Sequence, residues 1–136
     1  MNALDKQVGG NHYKGFQMQP IELITNLNLS FLQGCVIKRI CRYDRQGGKG
    51  NEDLNKILHE IELIVESKDF KIHVDYEVAL RNLCMFMVVN SLTPFQRKLL
   101  YDFINIFTDE DSASLSYSDD FKELKKRLEQ EIAAYD

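Results

Sequence analysis

Apolar side chains recur at intervals of three and four residues along most of this 136-residue chain. That spacing puts them on one face of an α-helix, whereas a half-buried strand would alternate them at every second residue. The clearest stripes are Leu32, Val36, Ile40 and Tyr43; Leu54, Ile57, Ile61 and Ile64; Phe95, Leu99, Phe103 and Phe107; and Phe121, Leu124, Leu128 and Ile132. Since the chain has only two prolines, helices can run uninterrupted, and the sequence predicts an all-α fold.

The stripes and their flanking residues predict a small bundle of about five to six helices. Residues 1–18 lack helical periodicity and contain three glycines, so they are predicted to be an irregular N-terminal arm. A helix is predicted from Pro20 to about Asn28, and the glycines from Gly47 onward are predicted to end the helix after it. The predicted N-caps of the later helices are Ser30, Asn51, Asp75, Thr93 and Ser118.

We divide the chain into a helical domain with its arm, residues 1–68, and a helical C-terminal extension, residues 69–136. The segment 78–89 is apolar nearly all round, which is typical of a helix that is central or lies between subunits. The last helix carries a narrower apolar stripe, as a docking helix would. These two helices predict a homo-oligomer.

Composition excludes several classes of protein. With 44% apolar residues and a net charge of −4, the chain can build a core but lacks the basic surface needed for general nucleic-acid binding. The longest apolar run, residues 83–89, is far too short to span a membrane, and no signal peptide is evident. Three cysteines without a CxxC pair fit a reducing compartment. We therefore expect a cytoplasmic protein.

Basic side chains concentrate between residues 34 and 56, which hold six of the seventeen in the chain. Lys38, Arg42 and Arg45 recur at intervals of four and three, so on a continuous helix they would be neighbours and could bind a phosphate. The alternative is an ordinary solvated face. Arg39 projects closer to the apolar side, and a half-buried arginine there would need an acidic or anionic partner.

The turn that follows, Gly47–Gly50, is not a P-loop, because that motif needs a strand before it and Ser or Thr after the lysine. Lys49 can still contact a phosphate. Glu52 and Asp53, in the first turn of the next helix, are weak candidates for Mg²⁺ ligands, and no firm metal site is predicted. The three histidines share no metal-binding spacing.

Several short motifs follow one another in the first half of the chain: VGGNHYK at 8–14, QPIE at 19–22, Gly34, VIK at 36–38, CRY at 41–43, Gly48, EDL at 52–54 and Lys56. Through these motifs, residues 7–67 resemble a nucleotide kinase-like domain that is widespread in bacteriophages. A similar domain forms the C-terminal part of a coliphage deoxynucleotide kinase that has no P-loop. Cys35 stands where this family is expected to have asparagine, and Arg39 where it is expected to have an aromatic residue.

This resemblance implies a phage protein that binds a nucleotide or a nucleotide-derived small molecule. One version is a nucleoside monophosphate kinase, a phosphotransferase that uses ATP and Mg²⁺. The alternative, from another class, is a protein that sequesters a nucleotide of host defence without reaction and needs no cofactor. No catalytic residue is assigned. The residues expected at the nucleotide site are His12, Tyr13, Lys38, Arg42 and Tyr43 from the resemblance, with Arg45 and Lys49 from the basic cluster.

Overall fold

A computed structural model describes residues 3, 15–67, 72, 74–108 and 119–135. The described residues form six α-helices and no strand, so the predicted all-α fold is confirmed. Three residues named in the sequence analysis, His12 and Tyr13 of the N-terminal arm and the predicted N-cap Ser118, lie outside these ranges. The helices are α1 (Pro20–Asn26), α2 (Phe31–Arg42), α3 (Asn51–Ser67), α4 (Tyr76–Val89), α5 (Pro94–Phe107) and α6 (Asp119–Ala134).

The helix starts follow the capping residues in the sequence. The side chain of Ser30 accepts a hydrogen bond from the amide of Gln33, and that of Asp75 accepts one from Glu77. Thr93 caps α5 in the same way, and proline occupies the first position of both α1 and α5. These caps give partners to amides that the first turn of a helix otherwise leaves free. The predicted starts of α2, α4 and α5 are therefore confirmed.

The end of α2 differs from the prediction, because the helix stops at Arg42 instead of continuing to the glycines. The chain then makes two consecutive tight turns, in which the amide of Arg45 donates to the carbonyl of Arg42 and the amide of Gly48 to that of Arg45, at 2.9 and 2.8 Å. A further bond, from the amide of Gly50 to the carbonyl of Tyr43 at 3.0 Å, closes the connection. We call residues 43–50 the α2–α3 turn. Arg45 therefore lies beyond the helix on which the predicted phosphate stripe placed it.

One hydrophobic cluster draws on residues from both halves of the chain. Helix α2 packs most extensively on α3, α3 and α5 contact α6, and α1 contacts α4. The division at residue 68 stays a prediction. Fully buried members include Leu23, Ile37, Ile40, Ile57, Ile61, Phe86, Phe103, Leu124 and Leu128.

Helix α4 buries only one of its faces, although its sequence is apolar nearly all round. Ala79, Leu83 and Phe86 face the core. On the outer side, Met85 and Val88 are 58% and 83% exposed. Oligomerisation through this face stays a prediction. Among the described residues, no helix combines the length and apolar character that crossing a membrane would require.

Candidate functional site

The structure describes five of the seven residues predicted at the nucleotide site. His12 and Tyr13 lie outside the described residues. Lys38 is exposed on α2, and Arg42 is the last residue of that helix. Tyr43, Arg45 and Lys49 all lie in the α2–α3 turn. The turn thus collects most of the described site residues, but their side chains point in different directions.

Asp53, in the first turn of α3, is the hub of this region. Its Oδ1 accepts hydrogen bonds from Nη1 of Arg39 at 3.2 Å and Nη2 of Arg42 at 2.9 Å. Its Oδ2 accepts from Nε of Arg42 at 3.2 Å and from the amide of Lys49 at 3.0 Å. The carboxylate is fully buried, while the two arginine side chains keep about a fifth of their surface exposed. A single acid therefore ties the end of α2 and the turn to the start of α3.

The charge of Asp53 depends on these partners. Burial by itself would raise the pKa of its carboxyl group, because an ion is poorly solvated inside the protein. The hydrogen bonds from Arg42, from the Lys49 amide and from Arg39 outweigh burial and lower the pKa below its usual value. Asp53 is consequently ionised at neutral pH and forms a buried, doubly paired ion.

The expected anionic partner of Arg39 is found within the chain. Besides the bond to Asp53, its Nε donates to Oε1 of Glu60, about two turns further along α3, at 2.7 Å. Glu60 is itself buried. Cys35 lies beside this pair, and burial, followed by the charge of Glu60, raises the pKa of its thiol. Arg39, which stands where the resemblance expects an aromatic residue, thus takes part in the α2–α3 contact.

Arg45 connects the turn to the N-terminal arm. Its Nη2 donates to the carbonyl of Ser91 at 2.9 Å, and its guanidinium carbon lies 4.0 Å from the ring centroid of Phe16. Phe16 stacks on Phe86 of α4. The side chain of Asn90, next to Ser91, accepts from the amides of residues 17 and 18 and donates to the carbonyl of residue 18. The arm therefore reaches the turn at Arg45.

Tyr43 lies inside the core at this end of the bundle. Its ring packs edge-on against Phe95 and Tyr135, with centroids 6.2 and 5.4 Å apart. Burial, followed by the nearby charge of Glu131, raises the pKa of its phenol. The ring therefore anchors the α2–α3 turn to the core of the bundle.

Lys49 is the exposed cation of the turn. No carboxylate among the described residues lies within ion-pairing distance of its ammonium group, and the same is true of the Arg45 guanidinium. The neighbouring Gly48 packs so tightly that a Cβ atom there would lie 1.9 Å from the carbonyl oxygen of Arg42. The backbone that carries Lys49 is therefore closely fitted to the end of α2.

The two candidate Mg²⁺ ligands have different surroundings. Glu52 is exposed and lies 3.4 Å from the ammonium of Lys56, whereas both oxygens of Asp53 accept hydrogen bonds as described above. Within the described part of the chain, no group of three His, Cys, Asp or Glu side chains could hold a metal ion.

Three residues of this region were not singled out in the sequence: Asn90, Ser91 and Tyr135. All three lie at least 46 positions from their partners along the chain. No local pattern marks such contacts. The only available signal was position, since Asn90 and Ser91 lie between two predicted helices, where a polar side chain can bind a neighbouring backbone.

No protein-family model, curated protein or solved structure matches the chain, so the resemblance to the phage nucleotide kinase-like family stays a prediction.

Proposed function

We propose that this chain is a phage-encoded nucleotide-binding protein of the host cytoplasm, in infected or lysogenic cells. The phosphates of the nucleotide would lie against the α2–α3 turn. One observation carries the proposal: Arg45 and Lys49 project from a single, rigidly packed turn and have no carboxylate partner among the described residues. Two such cations favour a ligand with two or more negative charges.

The local charge supports this assignment. Residues 38–60 contain six basic and four acidic side chains, and Glu52 and Lys56 pair with each other on the outside of α3. Arg39 and Arg42 are engaged by Asp53 and Glu60 inside the helix contact. These ion pairs therefore fix the turn, and the side chains of Arg45 and Lys49 lie outside them.

The arm gives a second line of support. The resemblance assigns the base or the acceptor to His12 and Tyr13. The first described residues after them, Gly15 and Phe16, lie against Arg45, since a Cβ atom on Gly15 would be 3.9 Å from its Nη1. The chain segment that directly follows His12 and Tyr13 thus contacts Arg45 of the turn.

Retention of the nucleotide and transfer of a phosphoryl group make different demands on Asp53. A kinase of this family would use ATP with Mg²⁺, and a carboxylate near the phosphates would help to hold the metal. For Asp53 to coordinate Mg²⁺, it would have to give up hydrogen bonds from two arginines and one amide. This observation favours the sequestering alternative over catalysis by these residues, and the kinase remains the second candidate.

One incubation tests both candidates. The purified protein is mixed with Mg-ATP, the deoxynucleoside monophosphates and a panel of cyclic and linear signalling nucleotides, then ultrafiltered, and both fractions are analysed by mass spectrometry. We expect an unchanged nucleotide to stay with the protein. New diphosphates in the filtrate would establish the kinase instead, and a protein that neither retains nor converts any nucleotide would refute the proposal.

Two variants of the turn and one control test whether the nucleotide binds at the α2–α3 turn. Lys49→Ala and Arg45→Met should each weaken the affinity about tenfold or more, because each removes a charge-assisted hydrogen bond worth about 1.5–3 kcal/mol. Lys122→Ala is the matched control: it removes another exposed lysine, which lies about 20 Å along α6 from Tyr135. An equal loss in the control would indicate nonspecific attraction and would contradict a site at the turn.

A further inference from the structure

The C-terminal end of α6 lies directly on the α2–α3 turn. Nδ2 of Asn51 donates a hydrogen bond to the carbonyl of Tyr135 at 3.0 Å. Gly50 has a φ of +54°, a conformation that favours glycine, and a Cβ atom there would lie 2.9 Å from Cε1 of the Tyr135 ring. The ring therefore occupies the space that a side chain at Gly50 would need.

Tyr135 also closes the turn against Tyr43. The two rings meet edge-on at an interplanar angle of 64°, and the Tyr135 hydroxyl lies 3.5 Å from the carbonyl of Tyr43. The same carbonyl accepts the amide of Gly50 at 3.0 Å. One aromatic side chain thus contacts both ends of the segment that carries Arg45 and Lys49.

The rest of α6 is held to the bundle by other contacts. Phe121, Leu124 and Leu128 are buried in the core. Lys125 pairs with Glu62 of α3, and Arg127 pairs with Asp102 of α5. Loss of the Tyr135 side chain should therefore leave the helix docked and loosen only the turn.

We propose that Tyr135 is a positioning residue for the phosphate site, and this inference rests on the proposed function. It does not touch the ligand. Its ring packs under Gly50 and against Tyr43, and so holds the conformation of the turn that carries Arg45 and Lys49. The binding site then depends on Tyr135, which directly follows α6, although Tyr135 and the α2–α3 turn are more than 80 residues apart in sequence.

The test measures two quantities: the rate of amide exchange in the turn of the free protein, and the affinity of the protein for ATP. In Tyr135→Ala, amide exchange of Gly50, followed by NMR, should accelerate about tenfold in the free protein, since its hydrogen bond to Tyr43 opens more often. The affinity for ATP, measured by calorimetry, should fall about tenfold as well. Tyr135→Phe keeps the ring and should restore both quantities. Ile132→Ala, which removes a half-buried side chain one turn earlier, controls for a general loss of stability.

Each outcome is decisive. Unchanged exchange of Gly50 in Tyr135→Ala overturns the inference whether or not any nucleotide binds. Faster exchange with unchanged affinity for ATP overturns the positioning role, because the site then tolerates a loose turn. If the wild-type protein binds no nucleotide, the proposed function fails, and the exchange data still decide whether Tyr135 holds the turn. An equal effect of Ile132→Ala on Gly50 would assign the result to stability alone and overturn the inference.

Discussion

Replacement of Asp53 by asparagine should cost the protein a large part of its stability. The amide keeps an acceptor near Oδ1 but places an NH₂ group where Oδ2 now accepts from Arg42 and from the Lys49 amide. Two guanidinium groups, each about one-fifth exposed, would lose their shared counter-ion. Removing one partner of a buried ion pair typically costs 3–5 kcal/mol, and the partial exposure of the arginines puts the expected loss at about 3 kcal/mol.

Urea unfolding measures this loss. With an m-value of about 2 kcal/mol/M, a loss of 3 kcal/mol lowers the midpoint by about 1.5 M. Glu52→Gln is the matched control, because it removes the preceding acid in the same helical turn. Glu52 is 54% exposed and pairs with Lys56 at 3.4 Å, so its replacement should cost about 0.5 kcal/mol. Equal losses for the two variants would refute the assignment of Asp53 as the hub of the turn.

The pH dependence of the difference in stability between wild type and Asp53→Asn gives an independent check. The folded protein holds the pKa of Asp53 below its unfolded value, which is about 4. The carboxylate therefore contributes its full stability above that pH, and the contribution is lost as the pH falls through the lower pKa of the folded state. The difference between wild type and Asp53→Asn should be constant near neutral pH and shrink below about pH 4. A difference that is unchanged at pH 3 would contradict this account.

Three further predictions follow from other contacts. Gly48→Ala should destabilise the protein by about 3 kcal/mol in urea, because the new methyl group meets the carbonyl of Arg42 at 1.9 Å; a loss below 1 kcal/mol would show that the turn can move. Asn90→Ala should cost about 1–2 kcal/mol and speed amide exchange in the arm, since it removes hydrogen bonds that tie the arm to the bundle. Cys84 is exposed whereas burial raises the pKa of Cys41, so DTNB should modify Cys84 rapidly at pH 8 and reach Cys41 only on unfolding; equal rates would contradict the burial of Cys41.

The helices were predictable because the signals that start them are local. Ser30 and Thr93 each cap a helix through an amide three residues later, and their effect can be read from a short window of sequence. The end of α2 was predicted wrongly for the opposite reason. The glycines that suggested a later end instead leave room for two close neighbours: Gly48 for the carbonyl of Arg42, and Gly50 for the ring of Tyr135. These contacts depend on the tertiary structure and cannot be predicted from a short window of sequence.

The sequence correctly predicted where the candidate residues on α2 lie along the helix, but not the directions in which their side chains point. The spacing of Lys38 and Arg42 correctly puts them on neighbouring positions of α2, yet Arg42 turns toward α3. Its partner, Asp53, was interpreted only as a weak candidate for a Mg²⁺ ligand, because the fold of the turn between them cannot be predicted from either helix alone. Arg39 was the exception: its place near the apolar side required an anion, and Asp53 with Glu60 supplies it.

The difference between cations that hold the fold and cations that we propose bind a ligand leads to a last prediction. Lys49 contributes its backbone amide to Asp53 but has no ion pair through its side chain among the described residues. Lys49→Ala should therefore leave the free energy of unfolding within about 0.5 kcal/mol of wild type. A bound nucleotide at 100 times its Kd stabilises a protein by about 2.7 kcal/mol, so the two proteins should diverge only when ligand is added.

Thermal unfolding with and without the retained nucleotide provides this comparison. We expect equal Tm values for wild type and Lys49→Ala in buffer, and a smaller ligand-induced rise for the variant. Asp53→Asn should behave in the reverse manner, with a low Tm already in buffer. If Lys49→Ala lowered the Tm without ligand, its ammonium would belong to the structural network, and the excess positive charge from which we infer a phosphate site would be reduced to Arg45 alone.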